Sequence, residues 1–429
     1  MPRVALIALL ALGGCGLFGG DDDILEGERI RIRPDASTAP ASPVAQPLPQ
    51  PVRNADWSQT NGTASHNPGH LAGPAALNRA WTADAGSGGS DGAVTGRPIV
   101  VGGTVYTLDA QATLTAFDAG SGSQRWRTSL VPEGESTDAG YGGGLAADGN
   151  RIFAATGFGE VLAIDPASGE IFWRQFFGAP FRAAPAAAGG LVIAVGGDNR
   201  ATALNAQDGS ARWRLQGGPA TAGLLGGASP AIAGDIALLP FASGELLAAT
   251  ANNGRPLWNA VLTSGRRGLA RSQIIGISGD PMVVGPYVLA ANQAGRIIAI
   301  DGRSGQRAWT RSIGSPGPMW AADDTVFLVS DEAVLMRLSV RDGATLWATE
   351  LPAFRNPEKR KDPIAYSGPV LAGGQLLLTD SRGNLIAFDP QSGAERARAS
   401  LDGGSVTGPV VAGGTVYVLT DRGRLHAFR

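Results

Sequence analysis

The sequence predicts an all-β fold, an eight-bladed β-propeller of four-stranded antiparallel blades that is closed by an N-terminal strand. Three observations support this prediction. A pattern of short apolar strands and glycine turns recurs along the chain, and six tryptophans end successive copies at spacings of 38 to 51 residues. The chain holds 63 glycines among 429 residues, about twice the usual share of roughly 7%, which indicates many tight turns. A period of about 45 residues is typical of one four-stranded blade.

Each copy of the repeat contains the four strands of one blade. Two apolar strands flank a Gly-Gly or Gly-Asp turn, a third strand ends in Asp, and a glycine turn leads to a strand that contains Trp. Apolar and polar residues alternate only weakly, as expected where both faces of a sheet are covered. The clearest copies are 96–128, 142–175, 279–311 and 367–399, and looser copies are 183–216, 226–260 and 316–349. The closing tryptophans are Trp126, Trp173, Trp213, Trp258, Trp309 and Trp347, and Ala397 takes this position in the seventh copy.

The eighth blade is split between the two ends of the chain. Residues 407–429 supply three strands and then stop, whereas residues 77–82 supply the missing strand with Trp81. Because an open ring would leave unpaired backbone groups on its terminal blades, an N-terminal strand is expected to close it. Segments of the form Asp-x-x-(Ser/Asp)-Gly, such as 165–169 and 389–393, are predicted to be structural turns rather than a ring of functional acids.

Residues 1–14 have the features of a secretory signal peptide. Arg3 precedes an apolar run at residues 4–12, which is too short to span a bilayer. Residues 12–15, Leu-Gly-Gly-Cys, resemble a bacterial lipobox, so we expect Cys15, the sole cysteine, to carry the acyl chains of a lipoprotein. An ordinary signal peptide with an incidental cysteine is the alternative. Residue 16 is Gly rather than the Asp typical of inner-membrane retention, which favours the periplasmic face of the outer membrane.

The chain is expected to divide into this signal peptide, a lipid-anchored tether at residues 15–55 and the propeller at residues 56–429. The tether includes the proline-rich stretch 36–51, whose composition favours an extended, semi-rigid linker. It would connect the membrane to the propeller without adding to the propeller core.

Composition and motifs argue against several classes of function. The formal net charge is -2 and no basic stripe is visible, so no nucleic-acid partner is expected. A single cysteine excludes a thiolate metal cluster. His66 and His70 are separated by Asn-Pro-Gly, which cannot continue a helix that would bring both to one metal ion. With no nucleophile elbow, phosphate loop or HExxH motif, the sequence predicts no catalytic residue, no metal and no cofactor.

The repeat itself, Gly-x-(Leu/Val/Ile)-x-Ala-(Leu/Ile/Phe)-Asp followed by Gly-x-x-x-Trp, resembles that of the pyrroloquinoline-quinone-type propellers. Two groups share this repeat: the quinoprotein alcohol dehydrogenases and the BamB family, lipoproteins of the outer-membrane β-barrel assembly (BAM) machinery. Asp56-Trp57-Ser58-Gln59, followed by His66 and Pro68, is similar to the segment that precedes blade closure in the BamB family. The resemblance covers roughly residues 56–429 and the lipobox, and it implies the fold more strongly than the activity.

The two groups imply different chemistry. A quinoprotein dehydrogenase would need oxygen ligands for calcium, an aspartate base, stacking partners for the quinone and, commonly, a disulfide between adjacent cysteines. Cys15 is the only cysteine, and no matching set of ligands stands out. The sequence therefore favours a non-enzymatic scaffold of the BamB type. A PQQ-dependent dehydrogenase-type propeller is the alternative, and a periplasmic propeller that binds a small ligand is a third reading.

The resemblance to the BamB family also implies partners. It implies binding to the periplasmic POTRA domains of BamA and to other BAM components, help in presenting unfolded outer-membrane proteins, and a contact surface on loops around the middle blades. Two insertions interrupt the repeat there, Leu215–Leu225 and Leu262–Asp280, and arginine beside apolar residues is common at interfaces. A long solvated loop is the alternative. The predicted partner contacts are Leu215, Leu224, Leu225, Arg266, Arg267, Arg271 and Asp280. The basic run 355–361 is predicted to be a solvated loop.

Overall fold

The structure, a computed structural model, describes residues 46–88, 94, 96–220, 227–262 and 275–429, and every structural statement below concerns these residues. The predicted signal peptide, Cys15 and most of the predicted tether lie outside them. The described chain forms eight four-stranded antiparallel sheets arranged in a ring, which confirms the predicted eight-bladed β-propeller. Within the described residues, no helix is long and apolar enough to cross a membrane.

Strand β1 (Arg79–Asp84) precedes the seven uninterrupted blades. The first and second blades are β2 (Ile99–Val101), β3 (Thr104–Leu108), β4 (Thr113–Asp118), β5 (Gln124–Ser129), and β6 (Gly143–Asp148), β7 (Arg151–Thr156), β8 (Glu160–Ile164), β9 (Ile171–Phe176). The third and fourth are β10 (Ala186–Ala188), β11 (Leu191–Val195), β12 (Arg200–Asn205), β13 (Ala211–Gln216), and β14 (Ala231–Ala233), β15 (Ile236–Pro240), β16 (Glu245–Thr250), β17 (Pro256–Val261).

The second half of the ring repeats this arrangement. The fifth and sixth blades are β18 (Ile277–Val284), β19 (Tyr287–Asn292), β20 (Arg296–Asp301), β21 (Arg307–Arg311), and β22 (Trp320–Ala322), β23 (Thr325–Val329), β24 (Val334–Ser339), β25 (Thr345–Glu350). A hairpin, β26 (Phe354–Asn356) and β27 (Lys361–Pro363), follows; its residues are largely exposed, but they form paired strands where a loop was predicted. The seventh blade is β28 (Tyr366–Ala372), β29 (Gln375–Asp380), β30 (Asn384–Phe388), β31 (Glu395–Ser400), and the eighth is β32 (Val410–Ala412), β33 (Thr415–Leu419), β34 (Arg424–Phe428) and β1.

In each blade the first strand lies nearest the ring axis and the fourth forms the rim. In the second blade, for example, β6, β7 and β8 are almost wholly buried, whereas β9 is half-buried or exposed along its length. Because neighbouring strands are antiparallel, the turns between strands one and two and between strands three and four share one face of the ring, here called the lower face. The turns between strands two and three, and the loops that join blades, lie on the opposite, upper face.

Tryptophans join most blades of the described ring to the next one. The indole Nε1 of Trp126 donates to the carbonyl of Pro166, in the turn between the third and fourth strands of the second blade, at 3.1 Å. Gly169 of that turn, at φ +78°, lies so close to the same indole that a side chain would clash. We call this pair of contacts a tryptophan lock. Six further indoles donate to a carbonyl of the next blade in the same way: Trp81 to Ala119, Trp173 to Ala206, Trp213 to Ala251, Trp258 to Gly302, Trp309 to Val340 and Trp347 to Pro390.

The interface between the seventh and eighth blades, here called the seam, is the place in the described ring where this lock is missing. Ala397 takes the tryptophan position in β31. The eighth blade has no chain turn between its third and fourth strands, because β34 ends at Phe428 and β1 comes from the other end of the chain. An indole at position 397 would therefore have no turn carbonyl to receive its N–H.

The N-terminal strand closes the ring as predicted. β1 pairs antiparallel with β34, with Trp81 opposite Ala427 and Thr82 opposite His426. Thr82 Oγ1 also hydrogen-bonds the buried ring of His426 through Nδ1, at 3.0 Å. The predicted turns are confirmed as well, since Asp165 Oδ1 accepts the N–H of Ala167 at 2.8 Å. Asp389 Oδ1 likewise accepts two backbone N–H groups of its own turn.

Residues 52–74 run around the axis ahead of β1 and form what we call the inner belt. Trp57 is fully buried and stacks on Trp320 of the sixth blade, with ring centroids 5.7 Å apart. Gln59 Nε2 donates to the carbonyls of Ala147 and Ala187, in the second and third blades, at 3.0 and 2.8 Å. Further hydrogen bonds join Asn54 to Val411, Trp57 to Val100, Ala64 to Ile232, Ser65 to Val283, Gly69 to Trp320 and Leu71 to Leu371. The belt thus bonds to the first strand of every blade.

The two ends of the inner belt pair with each other at the seam. The N–H of Val52 donates to the carbonyl of His70, and the N–H of Ala72 donates to the carbonyl of Val52, both at 2.8 Å. One end of the belt is bonded to the eighth blade through Asn54, and the other to the seventh blade through Leu71. The belt therefore bridges the joint that has no tryptophan lock.

The structure differs from the predicted tether at its last ten residues. Arg337 Nη2 donates to the carbonyl of Gln46 at 3.0 Å, and His70 Nδ1 donates to the carbonyl of Pro49 at 2.7 Å. Gln46 and Pro49, which belong to the predicted tether, are therefore bonded to the sixth blade and to the inner belt. A proline-rich composition predicts an extended backbone, but it does not reveal that the carbonyls of that backbone are bound by side chains from distant blades.

Candidate functional site

Of the seven predicted partner residues, the structure describes Leu215 and Asp280. Leu215 lies in β13, is half-buried and packs against the core between the third and fourth blades. Leu224, Leu225, Arg266, Arg267 and Arg271 lie outside the described residues, so their role stays a prediction. The segments that carry them leave β13 and β17 and return before β14 and β18, which places both ends of each insertion on the upper face.

Asp280 occupies a different environment from the one expected of a partner contact. It lies in β18, the innermost strand of the fifth blade, and is only 6% exposed. One carboxylate oxygen accepts the N–H of Ser229 at 2.7 Å, and the other accepts Asn61 Nδ2 at 2.8 Å. Both oxygens are thus bonded within the chain, and a partner contact at Asp280 stays a prediction.

A polar network near the axis surrounds this carboxylate. Arg97 donates to Asn61 Oδ1, to the carbonyl of Thr60 and, through Nε, to the carbonyl of Thr407 in the eighth blade. Burial lowers the pKa of Arg97, and the nearby Asp280 opposes that shift. Burial also lowers the pKa of His66, whose Nδ1 donates to the carbonyl of Pro281 at 2.9 Å. The network fixes the belt to the first, fifth and eighth blades, and its members already satisfy one another.

Two side chains frame a groove on the upper face, between the third and fourth blades. Asn199, at φ +60°, accepts the N–H of Ala242 through Oδ1 and donates to the carbonyl of Gly218 through Nδ2, at 2.9 and 2.7 Å. Glu245 accepts the N–H of Gly218, the hydroxyl of Ser243 and the amide of Asn259, and the Gly218 bond is the first cause of its lowered pKa. The frame fixes the chain where it leaves the third blade toward the first predicted insertion.

The groove has an apolar floor and a basic edge. Phe241 and Ile277 are buried at its base, and small residues form its walls. Arg182 is exposed at the edge, and in the described part of the chain it makes no ion pair. The lining residues are Arg182, Ala183, Val195, Gly196, Gly197, Asn199, Gly227, Ala228, Pro240, Phe241, Ala242, Gly276 and Ile277. A concave apolar surface beside a free cation suits a protruding apolar side chain with an acidic neighbour.

The groove could not be located from the sequence alone. Its residues come from three blades, and most are glycine, alanine or proline, which the repeat also uses for turns. The available signal was indirect: both insertions beyond the blade period start or end beside it, at Gly217, Gly227, Leu262 and Gly276.

The residues on the axis do not fit the quinone and calcium ion that the repeat implies for dehydrogenases. Both oxygens of Asp280 are bonded to chain N–H groups, and the ring of Trp57 is stacked on Trp320. The inner belt itself passes between the first strands of the blades. In the described ranges, no cluster of three or more His, Cys, Asp or Glu could hold a metal ion.

Comparison with known proteins places this geometry in a family. The sequence matches the family described as outer membrane protein assembly factor BamB over residues 75–138, 110–349 and 355–429. It is 25% identical over 403 residues to an outer membrane protein assembly factor BamB of Yersinia pestis, covering 93% of this chain and 91% of that protein. The corresponding protein of Bordetella pertussis is 26% identical over 405 residues, covering 94% of this chain and 90% of the relative. Both relatives are named as assembly factors rather than as enzymes.

Solved structures from both of the groups suggested by the repeat share the fold of this chain. BamB from Moraxella catarrhalis matches with a TM-score of 0.69 at 17% identity, covering 82% of this chain and 100% of that one. A quinohemoprotein alcohol dehydrogenase from Comamonas testosteroni matches with a TM-score of 0.66 at 14% identity, covering 88% and 81%. Likenesses at such identities establish the fold alone, so the assignment depends on the sequence match.

Proposed function

Because the chain belongs to the family of the outer membrane protein assembly factor BamB, we propose that it is a non-enzymatic scaffold that helps assemble proteins of the outer membrane. The observation that carries this proposal is the family match, which extends from residue 75 to the last residue with only residues 350–354 unmatched. The axial residues support it, because both carboxylate oxygens of Asp280 are bonded within the chain and do not offer free ligands to a cofactor.

The partner surface in this proposal is the groove on the upper face of the third, fourth and fifth blades. Its partners are the POTRA domains of BamA, with other BAM components and unfolded outer-membrane proteins as further contacts. An apolar floor at Phe241 and Ile277 supports this choice, as does Arg182, which makes no ion pair with the residues that the structure describes. The arginines of the second insertion, Arg266, Arg267 and Arg271, would add to the same basic edge.

The proposal also includes lipidation of Cys15 and a place on the periplasmic face of the outer membrane. The lipobox-like residues 12–15 motivate it. Changing Cys15→Ser should release the protein from the membrane fraction into the soluble periplasm, because a lipoprotein is held there by its acyl chains. Retention of the variant in the membrane fraction would contradict the anchor.

The groove is tested by reversing its exposed charge. Arg182→Glu, combined with Arg266→Ala, Arg267→Ala and Arg271→Ala, should weaken binding of purified BamA POTRA domains at least tenfold, about 1.4 kcal/mol. The melting temperature should stay nearly constant, because exposed charges contribute little to stability. Arg303→Glu, which reverses another exposed arginine, on the lower face, is the control and should bind as wild type does. Unchanged binding by the groove variant, or an equal loss in the control, would move the partner elsewhere on the ring.

The dehydrogenase alternative remains worth one measurement because its fold is shared. Addition of pyrroloquinoline quinone and calcium to the purified protein, with alcohols or aldoses as substrates, should give no reduction of an acceptor dye. Turnover with stoichiometric quinone binding would overturn the scaffold proposal.

A further inference from the structure

The upper face of the second blade exposes aromatic side chains. Phe176, the last residue of β9, is 70% exposed, and Tyr141, in the loop before β6, is 49% exposed. Phe158 and Phe177 are half-buried beside them. We call these four residues the aromatic rim. Phe176 is the third residue after the tryptophan of its blade. In the other seven blades this position holds no aromatic residue, but Ser129, Gln216, Val261, Ser312, Glu350, Ser400 or Asp84.

The backbone of one turn connects the segments that carry the four aromatic residues. Residues 157–159 join β7 to β8 and carry Phe158. The backbone of Gly140 lies against the ring of Phe158, because a Cβ added at Gly140 would stand 2.6 Å from that ring. A Cβ added at Gly157 would likewise clash with the carbonyl oxygen of Tyr141. On the other side of the turn, the N–H of Phe177 donates to the carbonyl of Gly159 at 2.8 Å. The turn therefore joins the side that carries Tyr141 to the side that carries Phe176.

The loop that supplies Tyr141 is acidic. Glu133, Glu135 and Asp138 are all exposed, and none of them makes an ion pair in the described part of the chain. By contrast, Glu160 at the start of β8 is paired with Arg174 of β9, which lies on the same face of the strand as Phe176. The loop that carries Tyr141 thus holds three exposed carboxylates that pair with no cation among the described residues.

We propose that the aromatic rim and its acidic loop form a second docking surface, for a protein segment in which basic side chains alternate with aromatic or aliphatic ones. Exposed aromatic groups are enriched where proteins bind one another, because they bury much area at little entropic cost. The uncompensated carboxylates select a cationic partner and exclude a polyanion such as nucleic acid or an anionic lipid surface. This surface lies on a different blade from the groove, and the inference does not depend on the proposed function.

The two halves of the surface make separate contributions that an experiment can divide. Apolar contact with Tyr141 and Phe176 should be insensitive to salt, whereas attraction to the three carboxylates should weaken as salt shortens the screening length from about 10 Å at 0.1 M to about 3 Å at 1 M. A partner that uses both halves should lose affinity, but not all of it, when salt is raised.

The test uses the full chain and a fluorescent peptide of alternating lysine and phenylalanine or leucine, with a peptide of identical pattern that carries glutamate. The lysine peptide should bind, and the glutamate peptide should bind at least tenfold more weakly. Tyr141→Ser with Phe176→Ser should weaken the lysine peptide at least tenfold at every salt concentration. Glu133→Gln, Glu135→Gln and Asp138→Asn together should weaken it at low salt and remove its salt dependence. All of these side chains are exposed, so the variants should unfold at the wild-type temperature.

Matched controls lie elsewhere on the molecule. Val406→Ser removes an apolar side chain as exposed as Tyr141, and Glu358→Gln with Asp362→Asn removes two exposed charges from the hairpin β26–β27. Both should bind the lysine peptide as wild type does. Equal binding of the two peptides, wild-type affinity in the rim variants, or an equal loss in the controls would overturn the proposal. POTRA binding is measured separately, so failure here and failure of the groove are distinguishable.

Discussion

At the scale of single residues, the carboxylates divide into those whose roles follow from local sequence and those whose roles do not. Asp165 and Asp389 accept N–H groups two or three residues away, so the Asp-x-x-Ser-Gly pattern was sufficient to predict them as turn residues. Asp280 is bonded to Asn61, more than two hundred residues earlier in the chain. No local pattern contains that partner, so sequence reasoning assigned Asp280 only to the end of an insertion between the fourth and fifth blades.

A residue-scale prediction concerns His426, which is buried against the closing strand. Burial, followed by the nearby Arg79, lowers the pKa of His426 from 6.5 to about 4. The unfolded chain therefore takes up this proton first as the pH falls. The contribution of His426 to stability is fully present above pH 6.5 and is lost as the pH falls from 6.5 toward 4.

His426→Gln keeps an amide that can bond Thr82 but cannot titrate in this range. Urea unfolding measured at several pH values should give a flatter dependence of the unfolding free energy between pH 6.5 and 4 than the wild type gives. A variant profile parallel to that of the wild type would show that the buried imidazole is not responsible for acid sensitivity.

At the scale of elements, the repeat in the sequence predicted the blades, whereas the inner belt has no repeat and was not predicted. Every blade repeats the same strands, turns and closing position, so its topology could be counted from the sequence. The belt has no period, is rich in polar residues and turns, and was predicted only to precede the closing strand. Its order comes from bonds to eight blades that are far apart in sequence, and such pairings leave no local pattern.

The belt should contribute measurably to stability through Gln59. Gln59→Ala removes hydrogen bonds to Ala147 and Ala187 and leaves buried backbone groups without partners, at a cost of about 2–4 kcal/mol. Urea unfolding is the appropriate measurement. Gln216→Ala is the control, because its amide bonds only to partly exposed backbone carbonyls, and it should change stability by less than about 0.5 kcal/mol. Equal effects of the two changes would deny the belt a structural role.

The tryptophan lock predicts an asymmetry between two substitutions. Trp258→Ala removes a buried indole and its bond to Gly302, and should cost about 3–5 kcal/mol. Ala397→Trp, which restores the repeat pattern at the seam, should give no stabilisation, since the eighth blade lacks the turn that would receive the indole. Thermal unfolding of both variants checks this. A marked gain in stability from Ala397→Trp would contradict the explanation given for the missing lock.

At the scale of the whole molecule, the ring is closed twice, by β1 at the rim and by the belt at the axis. Removing residues through 45 should leave the unfolding free energy nearly unchanged, because every bond of the belt remains. Removing residues through 76 should lower it by several kcal/mol, since the backbone and side-chain hydrogen bonds of the belt to the blades and the Trp57–Trp320 stack are lost while β1 is retained.

Hydrogen exchange distinguishes local opening of the seam from general destabilisation of the ring. In the longer truncation, protection should fall first in the seventh and eighth blades, at β28 and β32, and last in the fourth blade across the ring. Uniform loss of protection around the ring, or equal effects of the two truncations, would mean that the belt does not hold the seam.

The position of the seam has a mechanical consequence. The chain that leads to the proposed lipid anchor departs at Gln46, which Arg337 holds beside the turn that carries Gln391, and the neighbouring belt ends meet at the joint between the seventh and eighth blades. A load applied through the anchor would be borne there first, on the lower face. The groove of the third to fifth blades lies across the ring and opens on the other face. Traction from a moving membrane would thus act on the inner belt before it could deform the surface offered to a partner.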